Sequence, residues 1–192
     1  MSAVISSEAV PTIWTVGHSV RPIEEFLGLL TGAGIEVVAD VRSFPGSRRF
    51  PHYGREALQG TLASHAIGYH WLPALGGRRK ASPDSPNVAW RNASFRGYAD
   101  YMSGPDFAAG LGQLLAIASD ARAAIMCSEA VWWRCHRSMI ADALCVRGIE
   151  VLHILDGRKV TAHPMTAPAR VIDGVLTYSA AEQTGSRTEP PH

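Results

Sequence analysis

An α/β fold is predicted, with a mainly parallel sheet, helices on both faces and a C-terminal β-hairpin. Three observations point to it. Short β-branched apolar runs alternate with stretches of helical periodicity, the joints between them are short, and an Asp-Gly pair divides two alternating runs near the C-terminus. With 192 residues and 46% hydrophobic side chains, the chain can fill one core and is short for two. The expected organisation is a flexible arm over 1–11, one α/β domain over 12–180 and a disordered tail over 181–192.

The first strand is expected at Ile13–Gly17 (IWTVG). Pro22 suits a first helical turn, and Ile23, Phe26, Leu27 and Leu30 follow at helical spacing until Gly32 and Gly34 end the helix. Ile35–Val41 (IEVVADV) reads as a second buried strand, which completes a right-handed parallel βαβ unit. A helix is expected around Arg55–His65 and a strand around Tyr69–Leu72. Gly76–Arg91 is a long loop with three consecutive basic residues and prolines at 83 and 86, the kind of segment that carries function or moves. Helical pattern over Phe95–Ala118 is broken at Gly104-Pro105, a fourth strand covers Ala123–Cys127, and a helix covers Ser138–Arg147 before Gly148. Glu150–Leu155 is the fifth strand, and Asp173-Gly174 turns a hairpin over Arg170–Tyr178.

Composition narrows the function classes. No apolar run approaches the roughly 20 residues of a membrane span, so no membrane association is expected. The opening MSAVISSEAVPTI has no basic region followed by an apolar block, so no secretory leader is expected. Three cysteines, an odd and low count, favour a reducing cytoplasm over a disulfide scaffold. The net charge of +1 conceals segregation: Arg42 to Arg96 holds nine Arg or Lys against two acids, a net of +7, and the remainder carries −6. A concentrated basic segment attracts anions, although a solvated basic face with no partner has the same signature. The interleaved Phe44, Phe50, Tyr53, Tyr69, Trp71, Trp90 and Phe95 would suit stacking on nucleobases, but several must fill core.

In open parallel sheets, ligands bind beyond the carboxyl ends of the strands. Four expected strand ends deliver polar or glycine residues to that edge. They are Gly17, His18 and Ser19; Asp40, Arg42, Ser43 and Ser47; Gly76, Gly77, Arg78 and Arg79; and Cys127, Ser128 and Glu129, with Cys135, His136, Arg137 and Ser138 opening the next helix. The candidate catalytic set is His18, Cys127, Glu129, Cys135 and His136. The candidate anion-binding set is Ser19, Asp40, Arg42, Ser47, Arg78, Arg134 and Arg137.

In CSEAVWWRCHRS (127–138), a helix start and nearby Arg134, His136 and Arg137 would stabilise a thiolate at Cys127 or Cys135. Burial as plain core residues is the competing reading for both, and Cys145 reads as core. Arg134 stands seven after Cys127 with two tryptophans between, which departs from a phosphatase-type Cys loop and argues against cysteine-dependent phosphate hydrolysis. No second close Cys or His pair exists, so no metal site is assigned and no cofactor is named. His18 suits proton transfer or a cap with Ser19. Asp40 is expected to orient Arg42, and Glu129 to orient Arg42, Arg134 or Arg137. His153, inside an apolar strand, reads as core.

The blocks TVGHS (15–19), DVRSFPGS (40–47), YHWLPALGG (69–77), FRGYADYM (95–102) and CSEAVWWRCHR (127–137) together resemble the family called domain of unknown function 488. The resemblance spans about Ile13 to Pro164, and its blocks contain the strand-end residues named above. It implies no settled activity. DNA-repair labels on some relatives imply a link to nucleic acid. The expected function is an enzyme with an anion-binding cleft acting on a phosphate-bearing small molecule, nucleotide or nucleic acid. The alternatives are a non-catalytic nucleic-acid-binding module and a thiol-based metal or redox protein.

Overall fold

Six strands form the sheet that positions everything else. The structure, a computed structural model, describes residues 11–46 and 48–180. The arm expected over 1–11 (apart from Pro11), the tail over 181–192 and Ser47 lie outside the described residues. In chain order the elements are β1 (Thr12–Gly17), α1 (Ile23–Gly32), β2 (Val37–Asp40), α2 (Arg55–Ala63), β3 (Gly68–Trp71), α3 (Ala93–Met102), α4 (Pro105–Asp120), β4 (Ala123–Cys127), α5 (Arg137–Cys145), β5 (Glu150–Asp156), β6 (Lys159–Ala162), β7 (Arg170–Ile172) and β8 (Val175–Thr177). The sheet runs β3-β2-β4-β1-β5-β6, and β7-β8 form a separate hairpin.

Strands β1 to β5 pair in parallel, whereas β6 lies antiparallel on β5. The expected five-strand sheet therefore gains a sixth. Its Lys-Val-Thr-Ala sequence is exposed except at half-buried Thr161, so it carries no alternating apolar signal, and its charged lysine suits a sheet edge. The expected break at Gly104-Pro105 is real: α3 is capped by Asn92, whose side chain accepts from the Ser94 amide at 2.8 Å, and Pro105 opens α4. The β7-β8 turn places Asp173 at φ 49° and Gly174 at φ 77°, the left-handed pair that a two-residue hairpin needs.

Alternation along the strands feeds two cores. Trp14, Val16, Val38, Ala124 and Met126 face α1 and α2, while Ile13, Ala39, Ile125 and Cys127 face α3, α4 and α5. The chain leaves β1 through α1 on one face and leaves β4 through α5 on the other. Because β1 and β4 are neighbours, their exits part and open a crevice at their carboxyl ends, the switch point where α/β sheets bind ligands. No helix among the described residues is long and apolar enough to cross a membrane.

Two carboxylates fasten the remaining chain to this frame. Asp142 on α5 accepts from His163 Nε2 at 2.9 Å, from the Thr166 amide at 2.8 Å and hydroxyl at 2.6 Å, and from the Tyr178 hydroxyl at 2.8 Å. Thus α5 holds the segment that ends in the hairpin. Asp100 on α3 accepts from the Ser82 amide and the Asn87 side chain, both at 2.9 Å, and from the Ser85 hydroxyl. A side chain at Gly97 would strike the backbone of Lys80 and Ala81 at 2.5 Å, so the long 76–91 loop lies directly on α3.

Asp100→Ala should release that loop. The expected result is faster amide exchange over 82–89, a local loss of about 1–3 kcal/mol, and little change elsewhere. Burial raises the Asp100 carboxyl pKa, but bonds from Ser85, Asn87 and Ser82 and the charge of Arg96 leave it below its ordinary value. The anchoring is therefore complete above the ordinary carboxylate pKa and is lost as pH falls through the lower native one. Wild-type exchange over 82–89 should rise in acid, and the variant's should show no such step.

Candidate active site

Crossing of the exits leaves a cleft of about 650 Å³. His18, Ser19 and Val20 border it after β1; Arg42, Ser43, Phe44, Gly46 and Phe50 after β2; and Gly77 and Arg78 after β3. Cys127, Ser128, Glu129, Arg134, Cys135 and His136 border it after β4, and α3 closes the remaining side with Phe95 and Tyr98. The α3 wall was not expected, because a strand-end rule says nothing about a helix that folds across the opening.

The first layer of the floor is a zipper between two loops. Parallel pairing of β1 and β4 continues past the strand ends, with the His18 amide donating to the Cys127 carbonyl at 3.1 Å and the Ser19 amide to the Ser128 carbonyl at 2.9 Å. Ser19 sits at φ 49° to make the turn. Gly17 is required here, because a Cβ would lie 1.8 Å from the Glu129 carbonyl oxygen and 2.9 Å from Arg137 NH2.

Asp40 and Arg42 form the expected pair. Both are buried, with Arg42 Nε 2.9 Å from Asp40 Oδ1 and NH2 2.6 Å from Oδ2. The Tyr69 hydroxyl donates to the same carboxylate at 2.7 Å. Burial opposes the Arg42 charge, but the bond and charge of Asp40 outweigh it and raise its pKa. Arg42 NH1 donates to the Tyr53 carbonyl at 2.9 Å and to His18 Nε2 at 3.2 Å. A guanidinium has no acceptor, so His18 Nε2 is unprotonated and Nδ1–H donates to the Ser19 carbonyl at 3.0 Å. Burial first, then Arg42, lower the His18 pKa to about 4. His18 is thus a neutral ring, stacked on Tyr53 at 4.0 Å, whose lone pair is already occupied.

Arg137 is the largest fully buried side chain, at 1% exposure. No carboxylate of the described residues lies within ion-pair distance of it. Its NH2 donates to the Glu129 carbonyl, and its Nε lies 3.4 Å from Cys135 Sγ. A buried charge needs a counter-charge, and the group in contact is a thiol. Burial alone would raise the Cys135 pKa. A hydrogen bond from the Cys127 thiol, the charge of Arg137 and that residue's backbone and side-chain N–H groups bring it down instead, to about 6. Cys127, donating to that sulfur and buried, is pushed up to about 12. The lower value belongs to Cys135 because the guanidinium touches that sulfur. Sequence reasoning left the two cysteines equivalent, since nothing local says where Arg137 points.

His136 completes the group. Its Nε2 lies 3.2 Å from the Val41 carbonyl and so carries a proton, which leaves Nδ1 facing Cys135 Sγ at 3.6 Å. Gly77 packs against this ring, where a Cβ would meet Nδ1 at 2.4 Å, and Tyr98 meets it edge-on at 5.2 Å. Glu129 borders the cleft, but the expectation that it orients an arginine is met by its backbone carbonyl; among the described residues its carboxylate forms no ion pair. Arg78 and Arg134 stand exposed at the rim. The ligand atoms of Cys127, Cys135 and His136 lie within 4.8 Å of one another, a donor set suited to a soft cation. The adjacent Arg137 guanidinium opposes a second positive charge there.

The family described as Domain of unknown function DUF488 matches residues 22–144. The chain belongs to that family. The DUF488 match takes in the Asp40–Arg42 pair and the whole 127–137 block and starts after TVGHS, so His18 lies outside the matched stretch. No curated protein and no solved structure gives a significant match.

Two expectations follow. Gly17→Ala should cost about 3 kcal/mol in denaturant unfolding, whereas Gly28→Ala, where a Cβ meets nothing within 4 Å on an exposed helix face, should gain up to about 1 kcal/mol. The folded pKa of His18, about 4, lies below its unfolded value of 6.5. Its contribution to stability is therefore full above pH 6.5 and declines as pH falls towards 4, by about 3 kcal/mol in all. Urea midpoints measured across that window should flatten in His18→Gln.

Proposed function

We propose that the DUF488 cleft is the active site of a cysteine-dependent enzyme acting on a phosphate-bearing small molecule or nucleotide. The observation that carries this reading is the pairing of buried Arg137 with Cys135 rather than with any carboxylate. Cys135 Sγ is the nucleophile. Its sulfur attacks an electrophilic carbon of the substrate, the bond to the leaving group breaks, and His136 Nδ1 passes the thiol proton to that group. Arg137 is a positioning residue that holds the thiolate. Arg78 and Arg134 at the rim, with Arg42 below, bind the anion. The phosphate serves as handle rather than reacting centre, because the two tryptophans at 132–133 stand where a phosphate-cradling turn would need glycines. Three free thiols suit a reducing cytoplasm.

Nucleic-acid binding by the basic segment is favoured less. Four of the nearby arginines stack on the protein's own rings, Arg49 on Phe50, Arg55 on Trp71, Arg78 on Phe44 and Arg79 on Tyr101. Phe44, 71% exposed at the cleft, is itself one of the rings covered by an arginine.

Iodoacetamide labelling against pH tests the proposal. Cys135 should label with a midpoint near 6, and Cys127 should stay unreactive through neutral pH. Arg137→Met should move the Cys135 midpoint upward by about one unit or more. Labelling of Cys135 only above pH 8 would end the thiolate reading. Mass spectrometry of co-purifying anions, compared with Arg78→Ala and Arg134→Ala proteins, identifies the substrate class; a ligand retained by both variants would remove the rim from the site.

A further inference from the structure

The proposed reaction uses one thiol, yet two share the floor of the cleft. Cys127 ends β4, its position fixed by pairing with Gly17, and Cys135 follows the tight turn at 132–134. Both border the cleft at 6% and 3% exposure, so a small solute reaches them through it and a large one does not. Their sulfurs lie within 4.8 Å of each other. A disulfide needs about 2 Å between sulfurs, so the two must approach by no more than about 3 Å. In the reduced protein Cys127 has no partner to attack and is inert.

We propose that Cys127 is a resolving thiol, and that the pair forms a reversible disulfide when a small hydroperoxide enters the cleft. This rests on Cys135 being the reactive thiolate. Cys135 sulfur attacks one oxygen of hydrogen peroxide, the O–O bond breaks, and the departing hydroxide takes a proton to become water, leaving a sulfenic acid on Cys135. Cys127 sulfur then attacks Cys135 sulfur, the S–O bond breaks, and hydroxide leaves as a second water with the Cys127 proton. Two thiols are oxidised by two electrons and one peroxide is reduced to two waters. The disulfide removes the nucleophile and the counter-charge of Arg137 together, and it protects Cys135 from irreversible oxidation. A dithiol restores both.

Cys145 supplies an internal control. It closes α5, eight residues and roughly 12 Å of helical rise beyond Arg137 at the start of that helix, and is partly exposed. Full-length protein treated with stoichiometric hydrogen peroxide and then denatured without reductant should show two fewer alkylatable thiols than untreated protein. Peptide mapping without reductant should link Cys127 to Cys135 and leave Cys145 free. Iodoacetamide labelling of Cys135 at pH 7 should fall by more than about tenfold and return with dithiothreitol. Cys127→Ser, and independently Cys127→Ala, should trap a dimedone-reactive sulfenic acid on Cys135 in place of the link. Cys135 that goes to sulfinic acid in wild-type protein while Cys127 remains a free thiol would overturn the resolving role and leave the nucleophile intact. Cys135 that neither labels at pH 7 nor oxidises would overturn the thiolate reading itself.

Discussion

A guanidinium sealed from solvent without a carboxylate is the constraint around which the cleft is built. Arg137 cannot give up its proton, so the protein must supply negative charge or carbonyl oxygen wherever that side chain ends. It ends between the close of β1 and the turn after β4, on the Glu129 carbonyl and the Cys135 sulfur. The absence of a side chain at Gly17 leaves room for it. Fold and chemistry meet at this one group: the crossing of α1 and α5 to opposite faces makes the crevice, and the charge at the mouth of α5 lowers the pKa of a buried cysteine.

Around it two separate hydrogen-bonded systems hold buried polar groups. Asp40, Arg42, Tyr53, Tyr69 and His18 form one, on the β2 side, and it fixes a neutral imidazole where a mobile one would otherwise compete for protons. Asp142, Thr166, Tyr178, His163 and His153 form the other, extending to the Thr15 hydroxyl 2.7 Å from His153 Nδ1. The second lies behind α5 and holds that helix against β5, which keeps the start of the helix in register with the cleft. Fully connected networks of this kind specify one arrangement because each member left unpaired is costly.

The order of strands and helices is legible in the sequence, since the central strands β1, β2 and β4 are apolar runs buried on both faces and each break carries glycine, proline or a cap. Strand β6 is not, although Asp156-Gly157 ahead of it is the same dipeptide that marks the hairpin at 173–174; the strand after it has no apolar alternation to read. The convergence of His18, Arg42, Cys127, Cys135 and His136 is legible because topology alone sends strand ends to one edge. Their roles are not, because these depend on the direction of long side chains. Arg137 is spent on sulfur, and Glu129 contributes its backbone rather than its carboxylate. Asp100 and Asp142 each carry a sequence signal: an acid on a helix among inward-facing apolar neighbours is seldom idle.

Val20, Phe44, Arg78 and Arg134 stand on the rim with their outer surfaces in water, while the Cys135 sulfur and its partners sit in a packed interior. Floor and rim therefore answer to different physical demands. A change at the rim disturbs no buried charge and opens no void, whereas almost any change at the floor does one or the other. A scaffold divided in this way can retune the shape and charge of its opening, residue by residue, without rebuilding the thiol and guanidinium beneath.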